Sequence, residues 1–247
     1  MRIVTRILLL CLAAVVMTAG SLQAKTLTVA CDTNFMPFEF KKDGEYVGFD
    51  IDIWDTIAQD LGLDYKLQPM DFNGIIPALQ TGNVDAAIAA ITIKSTREEV
   101  VDFSHPYYDA GLRVIVSADN NSIKGLSDLD GKIVATKIGT TSADYAQENM
   151  DAKDVKLFPN IDAAYMELRT GGADAVLFDA PAVMYYANTA GKGAVKVVGP
   201  LYQGQSYGIA FPQGSDLREK VNIALLKMIE SGEYAEIYEK WFGSKPQ

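Results

Sequence analysis

LQTGNVDAAI at residues 79–88 and LRTGGADAVL at residues 168–177 are near copies of each other. Each copy combines a helix end, a glycine turn and an apolar run typical of a buried strand. Chance reuse of a common helix–turn–strand connection is one explanation. The other is two similar α/β lobes. Ligands bind beyond the carboxyl ends of strands in open α/β sheets, so two facing lobes would place both strand ends at one cleft.

Strand and helix patterns alternate along the rest of the chain. Short apolar runs predict strands at residues 27–31, 65–70, 85–91, 112–118, 132–137, 155–158, 173–178 and 195–198. Helical spacing of apolar residues predicts a helix ending at Gly62, helices at 75–80 and 95–100, and a helical tail at 217–241 with a break near Gly232. Strands separated by helices indicate parallel sheets in an α/β fold.

The composition is that of a folded protein with an acidic surface. The chain has 247 residues, of which 49% are hydrophobic, and this is enough for one large or two modest domains. Its formal net charge is −10. Because an acidic surface repels phosphate, nucleic acid and anionic membranes are disfavoured as partners.

Residues 1–24 resemble a secretory signal peptide. Arg2 and Arg6 precede an apolar run at 7–19, and SLQA at 21–24 has the form of a cleavage site that ends at Ala24. A retained membrane anchor is the alternative, but the run is shorter than the ~20 residues that a span requires. We therefore expect export to the periplasm with no membrane insertion after cleavage.

Cysteine and histidine are too scarce for several kinds of site. After cleavage the chain keeps one cysteine, Cys31, and one histidine, His105. This count excludes an intramolecular disulfide and a zinc site with several Cys or His ligands. Cys31 lies in an apolar strand pattern, which favours a buried thiol over a nucleophile. We expect no catalytic residue, no metal and no cofactor.

A possible carboxylate site follows the first repeated strand. Ser95 and Glu98 have the spacing of a capping box, so Ser95 is predicted to cap a helix. Arg97 then lies in the first turn, beside free backbone N–H groups, where a guanidinium suits a carboxylate ligand. An exposed arginine paired with nearby acids is the alternative.

A second helix start follows the strand at 132–137. Gly139 marks a turn, and Thr141 with Asp144 has the spacing of a cap, which predicts another N-terminus that favours anions. An ordinary capped helix explains the pattern equally. The spacing of a Walker loop is absent, so no nucleotide site is indicated.

Acidic and aromatic residues at strand ends complete a candidate site. Asp32 and Asp179 would suit an ammonium group, and together with Arg97 they would complement a zwitterionic amino acid. Phe35 and Phe72, in turn-like contexts, are candidates for a clamp on an aliphatic side chain. Caps and turns are the alternative for the acids, and the core is the alternative for the rings.

Short motifs throughout the mature chain resemble the type II periplasmic amino-acid-binding proteins of ABC importers. They are PFEF at 37–40, GFDID at 48–52, GIIPAL at 74–79, TIKSTR at 92–97 and DFS at 102–104. Four further motifs resemble the glutamine-binding branch of enteric bacteria: MDF at 70–72, FPNID at 158–162, AYMEL at 164–168 and YGIAFP at 207–212.

The resemblance implies a two-lobed α/β fold with two hinge strands and a ligand cleft between the lobes. The large lobe would be discontinuous, formed by residues 25–106 and 208–247. The hinge strands would be 107–111 and 203–207, and the small lobe would be 112–202. One cleft per monomer is the family's pattern, so we expect a monomer.

The resemblance also assigns ligand contacts at the amino-acid end. Arg97 matches the arginine that binds the ligand carboxylate, and Thr92 matches a threonine that contacts carboxylate and ammonium. The Ala90 carbonyl assists at the ammonium, and Asp179 matches the aspartate that binds it. Thr141 stands where the enteric protein has a glycine that donates a backbone N–H, and a threonine retains that N–H.

At the other end, the resemblance makes Phe35 and Phe72 the aromatic clamp and Asp32 and Lys137 the groups that hold a glutamine side-chain amide. Phe178 replaces a family histidine, and loss of one neutral hydrogen bond costs about 0.5–1.5 kcal/mol. An amide offers an N–H to the carboxylate and an oxygen to the ammonium. A cationic side chain would meet Lys137 and an anionic one Asp32, and this mismatch excludes competitors.

The resemblance therefore implies a periplasmic protein that binds L-glutamine, closes around it and delivers it to an inner-membrane ABC permease. Asparagine or glutamate would fit less well. Two other classes of function stay open: a sensory module that reports the ligand to a receptor, and an enzyme on the same fold, such as a dehydratase.

Overall fold

The computed structural model describes residues 25–246. The signal peptide predicted at 1–24, with its cleavage site, lies outside the described residues. Within them, no helix combines the length and the apolar character needed to cross a membrane.

Eleven strands and eight helices form the described part of the chain. The strands are β1 (Leu27–Asp32), β2 (Phe40–Lys42), β3 (Glu45–Val47), β4 (Tyr65–Met70), β5 (Ala86–Thr92), β6 (Val101–Phe103), β7 (Tyr108–Ser117), β8 (Ile133–Lys137), β9 (Asp154–Phe158), β10 (Ala175–Asp179) and β11 (Val195–Pro212). The helices are α1 (Phe49–Leu61), α2 (Ile75–Gln80), α3 (Ser95–Glu98), α4 (Thr141–Asn149), α5 (Ile161–Arg169), α6 (Ala180–Asn188), α7 (Leu217–Ser231) and α8 (Glu233–Phe242).

One mixed sheet runs through the molecule in the order β4-β1-β5-β11-β7-β10-β8-β9, and β6 pairs with β11. Strands β4, β1 and β5 are parallel on one side, and β10, β8 and β9 are parallel on the other. The prediction of parallel pairing is correct for these two groups. It is wrong at the centre, where β7 and β11 are antiparallel to each other and to the strands beside them.

The two central strands join the halves. The predicted hinge segments pair with each other, at Tyr108 with Tyr207, Asp109 with Ser206 and Ala110 with Gln205. Strand β11 extends far beyond the four residues predicted at 195–198, because it continues through the centre after irregular pairing. The lobe and hinge boundaries themselves stay predictions.

Helix α1 shows why apolar spacing predicts this fold well. Ile53, Trp54 and Ile57 are fully buried along one face. The helix ends where predicted, because Gly62 adopts the left-handed conformation (φ 62°) that closes a helix. The helical tail likewise breaks at Gly232, with φ 87°.

Both predicted helix caps are displaced by one residue. Lys94, not Ser95, precedes α3, and it makes no side-chain cap bond. Thr140, not Thr141, caps α4, and its Oγ1 accepts the Ala143 N–H at 3.3 Å. In both cases the residue before the predicted cap still has an extended backbone, so the helix begins at the residue expected to cap it.

Candidate functional site

All ten residues expected to contact ligand line a single cavity of about 290 Å³. They are Asp32, Phe35, Phe72, Ala90, Thr92, Arg97, Lys137, Thr141, Phe178 and Asp179, and Ala89 and Thr140 join them. With the side chains in this closed arrangement, little of the space admits water.

The cavity lies where the sequence repeat predicts it. Thr92 ends β5 and Asp179 ends β10, and these strands are the two copies of the repeat. Asp32 ends β1 and Lys137 ends β8. The carboxyl ends of four strands, two from each half of the sheet, therefore supply polar side chains to one site.

Arg97 is buried, with 6% of its surface exposed, which rules out the alternative of an exposed arginine. Its Nη1 donates to the Thr92 carbonyl at 2.9 Å and its Nη2 to the Gly139 carbonyl at 3.0 Å. Burial lowers the pKa of the guanidinium, although Asp144 and Asp179 oppose this. Among the described residues Arg97 forms no ion pair, so its charge is available to an anionic ligand group.

Asp179 has one free carboxylate oxygen in the cavity. Its Oδ2 accepts the Tyr207 hydroxyl at 2.6 Å, whereas the buried Oδ1 has no partner within residues 25–246. Burial raises the pKa of Asp179 to about 6, opposed by the Tyr207 bond, Arg97 and Lys137. A ligand ammonium would supply the missing donor and favour the ionised carboxylate.

Asp32 and Lys137 form a direct ion pair at the other end of the cavity. Their side chains are 2% and 1% exposed, and the pair connects the two halves of the sheet. Asp32 Oδ1 also accepts the Thr33 N–H at 2.7 Å. The Lys137 Nζ lies 5.6 Å from the centre of the Phe72 ring, within range of a cation–π interaction.

The aromatic residues form the apolar walls. Phe35 packs parallel to Phe38 at 5.2 Å and edge-on to Phe178 at 5.5 Å. Phe72 faces the Arg97 guanidinium at 5.4 Å. Phe178 is 1% exposed, so the residue that replaces the family histidine supports Phe35 instead of offering a polar group.

Two polar residues at the cavity escaped the sequence reasoning. Tyr207 holds Asp179, and Gln205 Oε1 accepts hydroxyl donors from Thr92 at 3.0 Å and Thr141 at 2.9 Å. Both lie on β11, far along the chain from their partners. The motif YGIAFP at 207–212 contains Tyr207, but spacing alone does not indicate its contact with Asp179.

Contacts across the cavity rim hold the two halves together. Asn34 Nδ2 donates to Asp162 at 2.6 Å, and Lys94 pairs with Asp144 at 2.5 Å. Together with the bond from Arg97 to Gly139, they make this a closed arrangement of the site.

Residues 204–208 read GQSYG, which has the G-x-S-x-G spacing of a hydrolase nucleophile elbow. An elbow needs a sharp turn from strand to helix at the serine. Here the segment lies inside β11, and Ser206 Oγ donates to Asp109 at 2.8 Å. The segment is therefore not a nucleophile elbow.

A family model for bacterial extracellular solute-binding proteins, family 3, matches residues 27–244. The chain belongs to this family. Its extracellular class agrees with the expectation of export.

Individual relatives of this family 3 protein differ in their ligands. The L-cystine-binding protein of Escherichia coli (strain K12) is 31% identical over 222 residues, which cover 89% of this chain and 83% of that protein. The ABC transporter glutamine-binding protein of Bacillus subtilis (strain 168) is 35% identical over 224 residues, covering 88% and 81%. These similar identities do not single out the glutamine-binding branch.

Among solved structures, an ancestral arginine-binding protein bound to arginine is 44% identical, with a TM-score of 0.84 over 88% of this chain and 98% of that one. The expected fold class is confirmed: this family 3 protein has the two-lobed α/β fold, with the cleft between its lobes.

Proposed function

We propose that this protein binds L-glutamine in its cavity and delivers it from the periplasm to an inner-membrane ABC permease. The observation that carries the choice of glutamine is the buried pair of Asp32 and Lys137 at one end of the cavity. The family and the relatives named for amino acids support the wider class.

The Asp32–Lys137 pair suits a neutral amide because it offers both bonding functions at once. Lys137 has three N–H donors, and Asp32 has two acceptor oxygens, so each group retains capacity beyond their mutual bond. The amide nitrogen of glutamine would donate to Asp32 and its oxygen would accept from Lys137. A guanidinium would be repelled by Lys137, and a carboxylate by Asp32.

The opposite end suits the charges of an amino acid. The ligand carboxylate would bind the buried guanidinium of Arg97, with Thr92 and the Thr141 N–H assisting. The ammonium would bind the free Oδ1 of Asp179 and the Ala90 carbonyl. Phe35 and Phe72 would enclose the aliphatic part of the ligand, with Phe178 behind Phe35.

Binding would close the lobes about the hinge. Residues 25–106 and 208–247 would form one lobe, residues 112–202 the other, and residues 107–111 and 203–207 the hinge. Because the ligand touches both lobes only when they are closed, it favours that state by differential affinity, and the permease would recognise it. We expect a monomer that binds without turnover, since the cavity carboxylates are engaged by the ligand.

Isothermal titration of ligand-stripped protein tests the proposal. We expect L-glutamine to bind tightly, and asparagine, glutamate, arginine, histidine and cystine to bind weakly or not at all. Tight binding of arginine or cystine with silence for glutamine would overturn the choice of ligand while keeping the class. Loss of glutamine uptake in a deletion strain would separate transport from sensing.

A further inference from the structure

Two carboxyl groups outside the proposed ligand contacts are buried behind the cavity. Glu39 and Asp50 are both 0% exposed, and neither takes part in an ion pair among residues 25–246. A buried carboxylate without a cation is unfavourable unless hydrogen bonds compensate for it. The partners of this pair therefore indicate what it does.

Asp50 holds the backbone of the cavity wall. Its Oδ2 accepts the Ala90 N–H at 2.7 Å and the Tyr107 hydroxyl at 2.8 Å. Ala90 lines the cavity and has a φ of +46°, in the left-handed region that alanine rarely adopts. The bond from Asp50 thus fixes an unfavourable backbone conformation at the site.

The sheet does not provide this bond. Strand β5 pairs with β11 at Ile91–Gly208 and again at Ala87–Ala210, so β5 has two more residues than β11 between these pairs. Such a bulge takes backbone groups out of the ladder. The Ala90 N–H is one of them, and the Asp50 carboxylate accepts it.

Asp50 and Glu39 are themselves firmly placed. Gly48, with φ +147°, allows α1 to start against residue 38: a Cβ there would lie 1.9 Å from the Phe38 carbonyl oxygen. The Asp50 N–H donates to that same oxygen at 2.9 Å. The Glu39 backbone exchanges hydrogen bonds with Phe35, at 2.6 and 3.1 Å. Glu39 is therefore bonded to Phe35 and Asp50 to Ala90, and both Phe35 and Ala90 line the cavity.

Glu39 and Asp50 lie within electrostatic range of each other. Among the described residues, both Glu39 oxygens and Asp50 Oδ1 have no hydrogen-bond partner. Burial raises the pKa of Glu39 well above its usual range, and Asp50 and Asp32 add to this. Burial raises the pKa of Asp50 to about 7, opposed by its bonds to Ala90 and Tyr107. Burial therefore favours the neutral form of both carboxyl groups.

The other titratable groups that act electrostatically on or around this pair lie on several of the elements packed against it. They are Cys31 and Asp32 on β1, Tyr46 on β3, Lys137 on β8, Tyr107 before β7, Tyr207 on β11 and Tyr234 on α8.

We propose that Asp50 is a positioning residue for ligand recognition: its carboxyl group orients the Ala90 peptide so that the Ala90 carbonyl accepts the ligand ammonium. The inference rests on the proposed function of the cavity and extends it to residues that do not touch the ligand. Through Tyr107, the same carboxylate reaches the first residue of the predicted hinge segment 107–111.

Two readouts on the full chain test the proposal. The first is the ¹H–¹⁵N signal of Ala90 in ligand-free, alanine-labelled protein. We expect a downfield amide proton in the parent protein, an upfield move in Asp50→Ala, and a smaller move in Asp50→Asn, which retains one acceptor oxygen. Asp52→Asn is the matched control, since Asp52 lies on the same helix but bonds Lys240 and Trp241. It should leave the signal unchanged.

The second readout compares L-glutamine with glutaramate, which is glutamine without its ammonium. In Asp50→Ala, we expect the preference for glutamine over glutaramate to fall about tenfold, as for loss of a directed hydrogen bond. A purely structural role would weaken both ligands equally. Asp50→Asn should recover part of the preference, which keeps the test decisive if Asp50→Ala folds poorly.

Glu39→Gln tests whether Glu39 is neutral in the folded protein, because its amide mimics the protonated acid. We expect near-parental affinity and a melting temperature that falls less than the parent's as pH rises from 5 to 8. An unchanged Ala90 signal or an unchanged ligand preference in Asp50→Ala would overturn the positioning role. If no amino acid binds the parent protein, the proposed function fails. The Ala90 signal alone then tests whether Asp50 positions the Ala90 peptide.

Discussion

The two ends of the cavity handle charge in opposite ways. At one end Arg97 and Asp179 are buried with bonding capacity unused: in the part of the chain that the structure describes, the guanidinium has no carboxylate partner and Asp179 Oδ1 has no donor. At the other end Asp32 and Lys137 bond directly and neutralise each other. Separated charges suit the two charges common to all amino acids, and a neutralised pair suits a side chain that is polar but uncharged.

The largest effect should come from breaking the end with separated charges. We expect Arg97→Ala to weaken ligand binding by roughly 100- to 4,000-fold, because a buried carboxylate that loses its cation costs about 3–5 kcal/mol. Titration calorimetry measures the change. Arg113→Ala is the control, since Arg113 donates to the Gly199 carbonyl away from the cavity, and it should leave affinity unchanged. Near-parental binding by Arg97→Ala would contradict the assignment.

Replacing Asp32 or Lys137 should change the selectivity among amino acids more than it changes the overall affinity. In Lys137→Met the Asp32 carboxylate keeps no cation, so we expect glutamine to bind about tenfold or more weakly and arginine to gain relative to it. Asp32→Asn should instead favour glutamate. Competition titrations of the three amino acids with both variants give the ratios. If selectivity stays the same in both variants, the Asp32–Lys137 pair does not discriminate between ligand side chains.

The pH dependence of ligand affinity should come from Asp179, at the end of the cavity where the charges are separated. Burial raises the pKa of Asp179 to about 6 in the empty site, and a bound ammonium favours the carboxylate. Affinity is therefore full above pH 6 and falls as pH decreases through that value, by up to about tenfold per unit. Titrations between pH 4.5 and 8 measure the slope. Asp179→Asn, which lacks this titration, should bind weakly with a flatter profile.

Phe178→His should give the smallest effect, at the paired end. A histidine would return a polar group near the ligand side chain, and one neutral hydrogen bond of about 0.5–1.5 kcal/mol corresponds to a gain of about 2- to 13-fold for glutamine. Replacing the Phe178 ring also removes packing on Phe35, and this loss opposes the gain in affinity. Phe178→Leu isolates that cost, because it removes the ring without adding a polar group. Weaker binding by Phe178→His than by Phe178→Leu would contradict the expectation.

Much of the fold follows from local sequence. The repeat at 79–88 and 168–177 places Thr92 and Asp179 at one cleft, because equivalent strands present equivalent ends. Glycines such as Gly62 and Gly232 mark helix ends because they adopt positive φ cheaply. The positions of helix caps are predicted less accurately. The backbone of Thr140 is extended, so Thr140 caps α4 in place of Thr141.

Contacts between distant segments are what the sequence does not predict. Tyr207 and Asp179 are 28 residues apart, and Gln205 and Thr92 are 113 residues apart. Neither pair has a spacing signal, because sheet pairing brings the residues together. The direct bond between Asp32 and Lys137 likewise depends on how closely the lobes approach, which no local pattern specifies.

A crystal structure of the protein with L-glutamine tests the central claim most directly. We expect the ligand carboxylate at Arg97, the ammonium at Asp179, and the side-chain amide bonded to both Asp32 and Lys137. A complex in which Asp32 and Lys137 bond only to each other, with the ligand side chain elsewhere, would contradict the account of selectivity.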